Sequence, residues 1–175
     1  MAQLETFTAY FSRLVTLEVF LWISSLLVIL LLVRKPASRA LSVSSTYYPL
    51  IALSFSGILG LSLRFWEAHG TLTTFWLFTP GPWLHGLEMN ANFLLNLSLY
   101  VPLASLLVLA RKSCWRVALA LSALSFVIET IQQFLLIGAG DRSDWLANSL
   151  GTVIGVLVGA FLLRAFPALG GKPRS

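Results

Sequence analysis

Charge is scarce in this chain. Only 11% of its 175 residues are Asp, Glu, Lys or Arg, while 57% are hydrophobic; a soluble domain carries about 25% charged residues. So few charges cannot cover a compact water-soluble particle, which excludes a soluble enzyme, and the apolar excess excludes disorder. Cys114 is the single cysteine, so neither an internal disulfide framework nor a multi-cysteine metal site exists. His69 and His85 are the only histidines, and neither has metal-ligand spacing around it. Gly-rich phosphate loops, Gly-x-Ser-x-Gly elbows, internal repeats and a hydrophilic second domain are absent as well. No metal and no cofactor is expected.

What the chain does have is long apolar runs. Five spans of about 20 residues would occupy roughly 100 positions, and five runs are present, at about 17–33, 49–63, 93–110, 115–137 and 145–166. The expectation is an all-α integral membrane bundle of five transmembrane helices, a single membrane domain over 1–175. The first run follows Glu5 and Arg13, carries Glu18 at its start and stops at Arg34-Lys35-Pro36. A signal peptide has a basic leader and a small-residue cleavage site instead, so this run reads as a retained span. The connection 64–92 contains "TLTTFWLFTPGPWLHG". It is too apolar for a free loop and too short for a further span, and reads as an interfacial or re-entrant segment or as a membrane-hugging loop. The tail "GGKPRS" reads as disordered.

The net charge of +5 would point a soluble protein toward nucleic acid; here it acts as an orientation signal, and no nucleic-acid partner is expected. With five alternating helices, one set of connections holds Arg34, Lys35, Arg39, Arg111, Lys112, Arg116, Arg164, Lys172 and Arg174, nine of the twelve basic residues. The other set holds Arg13, Arg64 and Arg142. Basic residues concentrate on the cytoplasmic side, which predicts the amino terminus outside and the carboxyl terminus inside. Trp66, Trp76, Trp83, Trp115 and Trp145 fall at span ends or in connections, as suits the headgroup zone.

Polar residues inside apolar helices usually face a bundle interior or a wet cavity. The fourth span carries Ser122, Ser125, Glu129, Gln132 and Gln133 along one helical face. Glu129 lies eight residues before the end of that span, about 12 Å below its boundary. A carboxylate at that depth loses hydration and calls for a proton or a cation; Arg142 is the nearest cationic candidate in sequence. The third span presents Asn92, Asn96 and Tyr100 on one face, then Pro102, which removes a helix hydrogen bond. The fifth begins with Asp144 at an N-cap or first turn and Asn148 one turn on. Ala147, Gly151, Gly155 and Gly159 follow at intervals of four, a spacing that lets helix backbones pack closely.

These residues, in this order, resemble the VanZ-like family of bacterial membrane proteins. The pattern has an Asn, an aromatic residue and a Pro in the third span, a Glu and nearby Gln in the next helix, a loop with Arg and Asp, then Asn and spaced glycines. This sequence supplies Asn96, Tyr100 and Pro102 in "NLSLYVPLA", Glu129 and Gln132 in "SFVIETIQQF", and Asp144, Asn148, Gly151 and Gly155 in "SDWLANSLGTVIG". The resemblance covers about 92–160. It departs from the pattern at Ala104, where Gly is usual, and in how closely Arg142 precedes Asp144. It implies a bacterial inner-membrane protein of the cell envelope, with a link through the name-giving member to resistance against the glycopeptide teicoplanin.

Several functional classes follow. The cluster Asn92, Asn96, Tyr100, Glu129, Gln132, Gln133, Arg142, Asp144 and Asn148 could bind an outer-leaflet lipid, a cell-wall precursor or a glycopeptide, because amides and carboxylates offer directional hydrogen bonds. A membrane-embedded enzyme would use Glu129 as general acid or base on a lipid-linked substrate. A purely structural network, in which polar pairs contribute about 0.6 kcal/mol each, is a third reading. A small proton-coupled carrier is a fourth, disfavoured by the lack of a repeat. Pro102, Gly151, Gly155 and Gly159 are read as packing residues.

Overall fold

A computed structural model describes residues 16–40, 43, 46–63, 76–78, 91–110, 112–137 and 141–170. It is all-helical, with no strand among the described residues. Thr16 caps α1, Leu17–Leu32, by accepting the Val19 N–H at 3.4 Å. The chain continues into a short α2, Arg34–Ala40, where the sequence reading expected only a connection. Pro36 falls in its first turn, where a helix needs no N–H donor. Pro49 likewise opens α3, Tyr48–Ser62. The long helices follow: α4, Ala91–Leu109, α5, Cys114–Phe134, and α6, Arg142–Ala165. Single 3-10 turns occupy Trp76–Phe78 and Pro167–Leu169.

Five apolar helices thus stand where five spans were expected, but they are unequal. Within α4, α5 and α6 lie three segments long and apolar enough to cross a membrane. Helices α1 and α3 have 16 and 15 residues, about 24 and 22 Å at 1.5 Å per residue, short of the roughly 30 Å hydrocarbon core. The fourth run ends as a helix at Phe134, three residues before the expected Ile137, and the fifth begins at Arg142, three before Trp145. Most of the 64–92 connection and the "GKPRS" end of the tail lie outside the described residues.

Apolar side chains also cover the outside. In α6 the Leu150, Val153, Ile154, Leu157, Val158 and Phe161 side chains are exposed, while Ala147, Asn148, Gly151, Thr152, Gly155 and Gly159 are buried. A helix with small and polar residues inward and large apolar ones outward is arranged for lipid. Its glycine face meets α4 at constant register: Gly151 against the Leu97 carbonyl, Gly155 against Val101 and Ala104, Gly159 against Ser105 and Val108. The two helices therefore run parallel. A Cβ on Gly155 would sit 2.5 Å from the Val101 carbonyl oxygen, so a side chain there would force the two helices apart. Ser105 crosses the same seam and donates to the Gly155 carbonyl at 2.9 Å. Pro102, by contrast, lies inside α4 with its ring exposed, off the seam.

The contacts also give each helix a direction. Tyr47, just before α3, donates to the Leu169 carbonyl beyond α6. Ser62, at the other end of α3, accepts from Gln132 near the end of α5 at 2.8 Å. One end of the bundle therefore gathers the end of α1, all of α2, the starts of α3 and α5, and the ends of α4 and α6. It holds Arg34, Lys35, Arg39, Lys112, Arg116 and Arg164 among the described residues. The opposite end holds every described carboxylate, Glu18, Glu129, Asp141 and Asp144, with Arg142 as its one described base.

Candidate functional site

The acidic end is built from three helices. Helix α5 stops by a turn in which Ile137 N–H bonds the Gln132 carbonyl at 3.1 Å and Leu136 N–H bonds that of Gln133 at 3.3 Å. This is the Schellman pattern, which places the residue after the C-cap in the left-handed region. Leu136 occupies that position, with φ 55°, where glycine is usual and an L side chain is strained. Asp141 then caps α6, its carboxylate accepting the Ser143 N–H at 2.7 Å. The sequence reading had assigned the cap or first turn to Asp144; Asp144 is in the first turn, and Asp141 is the cap. The Asp-x-Ser spacing of residues 141–143 is the signal that marks it.

With the chain so returned, the Asp141 backbone N–H reaches the Glu129 carboxylate at 3.0 Å. Glu129 is 3% exposed, deep enough for that single donor to matter. It lies five residues before Phe134, about 8 Å from the helix end rather than 12. Asp144 and Asp141 are close enough to act on it electrostatically. Glu129 thus has a main-chain donor, which the sequence reading, looking to Arg142 as its cation, did not foresee. Arg142 is buried at the same end and has partners of its own, but a backbone donor holds Glu129.

Helix α4 supplies the amides. Asn92 Nδ2 donates to Asp144 Oδ1 at 3.4 Å, and Asn96, one turn along, interacts with the same carboxylate. One layer deeper, Asn148 Nδ2 donates to Ser125 Oγ at 2.9 Å, with Tyr100 alongside Ser125. In this layer the Tyr100 hydroxyl and Asn148 Oδ1 are fully buried without a well-formed hydrogen bond. Buried polar atoms are nearly always satisfied, and leaving one unpaired costs about 1–3 kcal/mol. Two such atoms in one layer, beneath two carboxylates, form a polar interior with unused bonding capacity.

Neighbouring bonds fix the walls. Ser122 and Ser149 hydroxyls lie 2.8 Å apart, and Trp145 donates to the Ser122 carbonyl at 3.1 Å while its ring meets Phe126 edge-on at 6.4 Å. Gln132 is drawn away from the carboxylates to Ser62 and ties α3 to α5; Gln133 is partnered too. The structure thus brings Asn92, Asn96, Tyr100, Glu129, Asp144 and Asn148 together, with Arg142 at the same end. Sequence reasoning missed Asp141 altogether. Among the described residues no three His, Cys, Asp or Glu side chains could share a metal ion.

A family model described as VanZ/LLP1 matches residues 19–163. The match takes in α1 and α3, beyond the 92–160 stretch that carried the resemblance. No curated protein and no solved structure matches the chain.

Proposed function

This chain belongs to the VanZ/LLP1 family, and from that premise we propose that it is a multi-pass protein of a bacterial inner membrane that binds an envelope ligand through its acidic end. In this reading α1, α3, α4, α5 and α6 are the five spans, with α1 and α3 completed by flanking chain or a locally thinned bilayer. The basic end faces the cytoplasm and the acidic end the outside. The ligand is an outer-leaflet lipid, a cell-wall precursor or a glycopeptide, and any link to teicoplanin resistance would run through it. The observation that carries the reading is the layer containing the Tyr100 hydroxyl and Asn148 Oδ1, buried without a well-formed hydrogen bond under Glu129, Asp144 and the two α4 amides. Hydroxyl- and amide-rich ligands match that set of donors and acceptors.

The nearness of two carboxylates, buried Glu129 and half-buried Asp144, favours one second reading. Such pairs support acid–base chemistry, with Glu129 acting on a lipid-linked substrate. Both readings are tested by purifying the wild type and Glu129→Gln from membranes and identifying co-purified lipids and metabolites by mass spectrometry. A species enriched on the wild type and lost from the variant supports binding. Conversion of that species by the wild type alone supports the enzyme. Identical bound species and full activity in both proteins would sink the two together.

A further inference from the structure

At the basic end, a cavity of about 400 Å³ lies between α2 and the start of α3, lined by Arg34, Lys35, Ser38, Thr46 and Tyr48. That volume is in the range of small-ligand sites. We infer that it holds the phosphate of an anionic glycerophospholipid, at a site separate from the acidic cluster and independent of the function proposed for it.

Two observations point to an anion. Arg34 and Lys35 are exposed and form no ion pair among the described residues. Every described carboxylate is at the other end of the bundle, and the chain from Arg34 to Tyr48 contains no acidic residue. Two hydroxyls of the lining brace its walls, Tyr48 donating to the Leu30 carbonyl at 2.9 Å and Ser38 to that of Lys35 at 3.2 Å, which leaves the anion to the two cations. The cationic groups thus face a shaped, hydroxylated recess whose walls are held by the protein itself. Arginine and lysine suit phosphate, the first as a planar fork and the second as a point charge.

The depth points to a lipid. The cavity sits where apolar α1 gives way to Arg34, which is headgroup level for any membrane that α1 enters. Leu32 and Val33 are exposed beside it and offer an apolar surface to the acyl chains of a lipid whose headgroup is seated there. A free phosphate would use only the polar half of this arrangement.

The test is lipid binding by the detergent-purified full chain, read by native mass spectrometry during titration with phosphatidylglycerol, phosphatidylcholine or inorganic phosphate. A basic residue near an anionic surface contributes about a factor of five, so Arg34→Gln/Lys35→Gln should weaken phosphatidylglycerol binding about 25-fold, and each single variant about 5-fold. The charge-matched control Lys112→Gln/Arg116→Gln, at the same end but outside the cavity, should bind like the wild type. The swap Arg34→Lys/Lys35→Arg should retain binding within a few-fold. Displacement of phosphatidylglycerol by millimolar inorganic phosphate would keep the phosphate site and reassign its natural occupant to a soluble phosphate. Equal losses in the two double variants would mean a diffuse field and overturn the site. So would unchanged binding in Arg34→Gln/Lys35→Gln, or phosphatidylcholine bound as tightly as phosphatidylglycerol.

Discussion

The backbone N–H of Asp141 donates to Glu129 Oε2 at 3.0 Å, joining the end of α5 to the cap of α6 across a turn in which Leu136 has a positive φ. The most buried acid among the described residues is therefore held by main chain. Its position depends on how the connection folds.

Glu129→Gln preserves an oxygen that can accept that N–H, so its thermal midpoint should stay near that of the wild type. Glu129→Ala leaves the donor unmet and should cost about 1–3 kcal/mol. Denaturation of the two variants in detergent checks this; equal losses would mean that the hydrogen bond contributes nothing.

Tyr100→Phe separates a structural network from a binding site. Removing a buried hydroxyl that has no well-formed hydrogen bond should leave the ligand-free protein as stable or more stable, by up to about 1–3 kcal/mol. Retention of the co-purifying species should fall about tenfold, the equivalent of one hydrogen bond of about 1.4 kcal/mol. Lower stability with undiminished retention would assign Tyr100 to packing alone.

The glycines differ sharply in what they tolerate. Gly151→Ala drives a methyl into the Leu97 carbonyl, which only separation of α4 from α6 relieves, and should destabilise by about 1–3 kcal/mol or more. Gly57 in α3 has nothing within 4 Å of an added Cβ, so Gly57→Ala should stabilise by about 0.5–1 kcal/mol. Thermal midpoints of the two variants should move in opposite directions.

Orientation is open to direct labelling, because Cys114 is exposed at the basic end. On intact cells a membrane-impermeant maleimide should leave Cys114 unmodified. In a Cys114→Ser background it should label Glu18→Cys, whose parent side chain is exposed at the acidic end. The reverse pattern would put the acidic cluster in the cytoplasm and remove the envelope ligand from the proposal.

The helices were legible because hydrocarbon imposes a simple demand. Apolar runs, basic stops such as Arg34-Lys35, and Pro49 at a helix start can be seen in one dimension. The glycine interval was legible too, as was the shared face of Asn92, Asn96 and Tyr100, since both follow from helical periodicity. The α2 helix was not, because seven residues rich in charge and carrying Pro36 have no periodic signature. Nor was the diversion of Gln132 to Ser62, a partner 70 residues away.

Arg142 shows where linear reasoning stopped. It is the cation closest to Glu129 in sequence, but nothing in the linear order shows that the turn after α5 presents the Asp141 N–H to that carboxylate. The order of apolar and polar residues by itself determined an all-helical chain with its charges sorted to alternate connections, because burying a backbone in lipid leaves little other choice. Tertiary structure alone decided which helices touch and in what register. It thereby decided which polar atoms are well paired and which, such as Asn148 Oδ1, are not: hydrogen bonds act over about 3 Å, a distance that only packing in three dimensions can set.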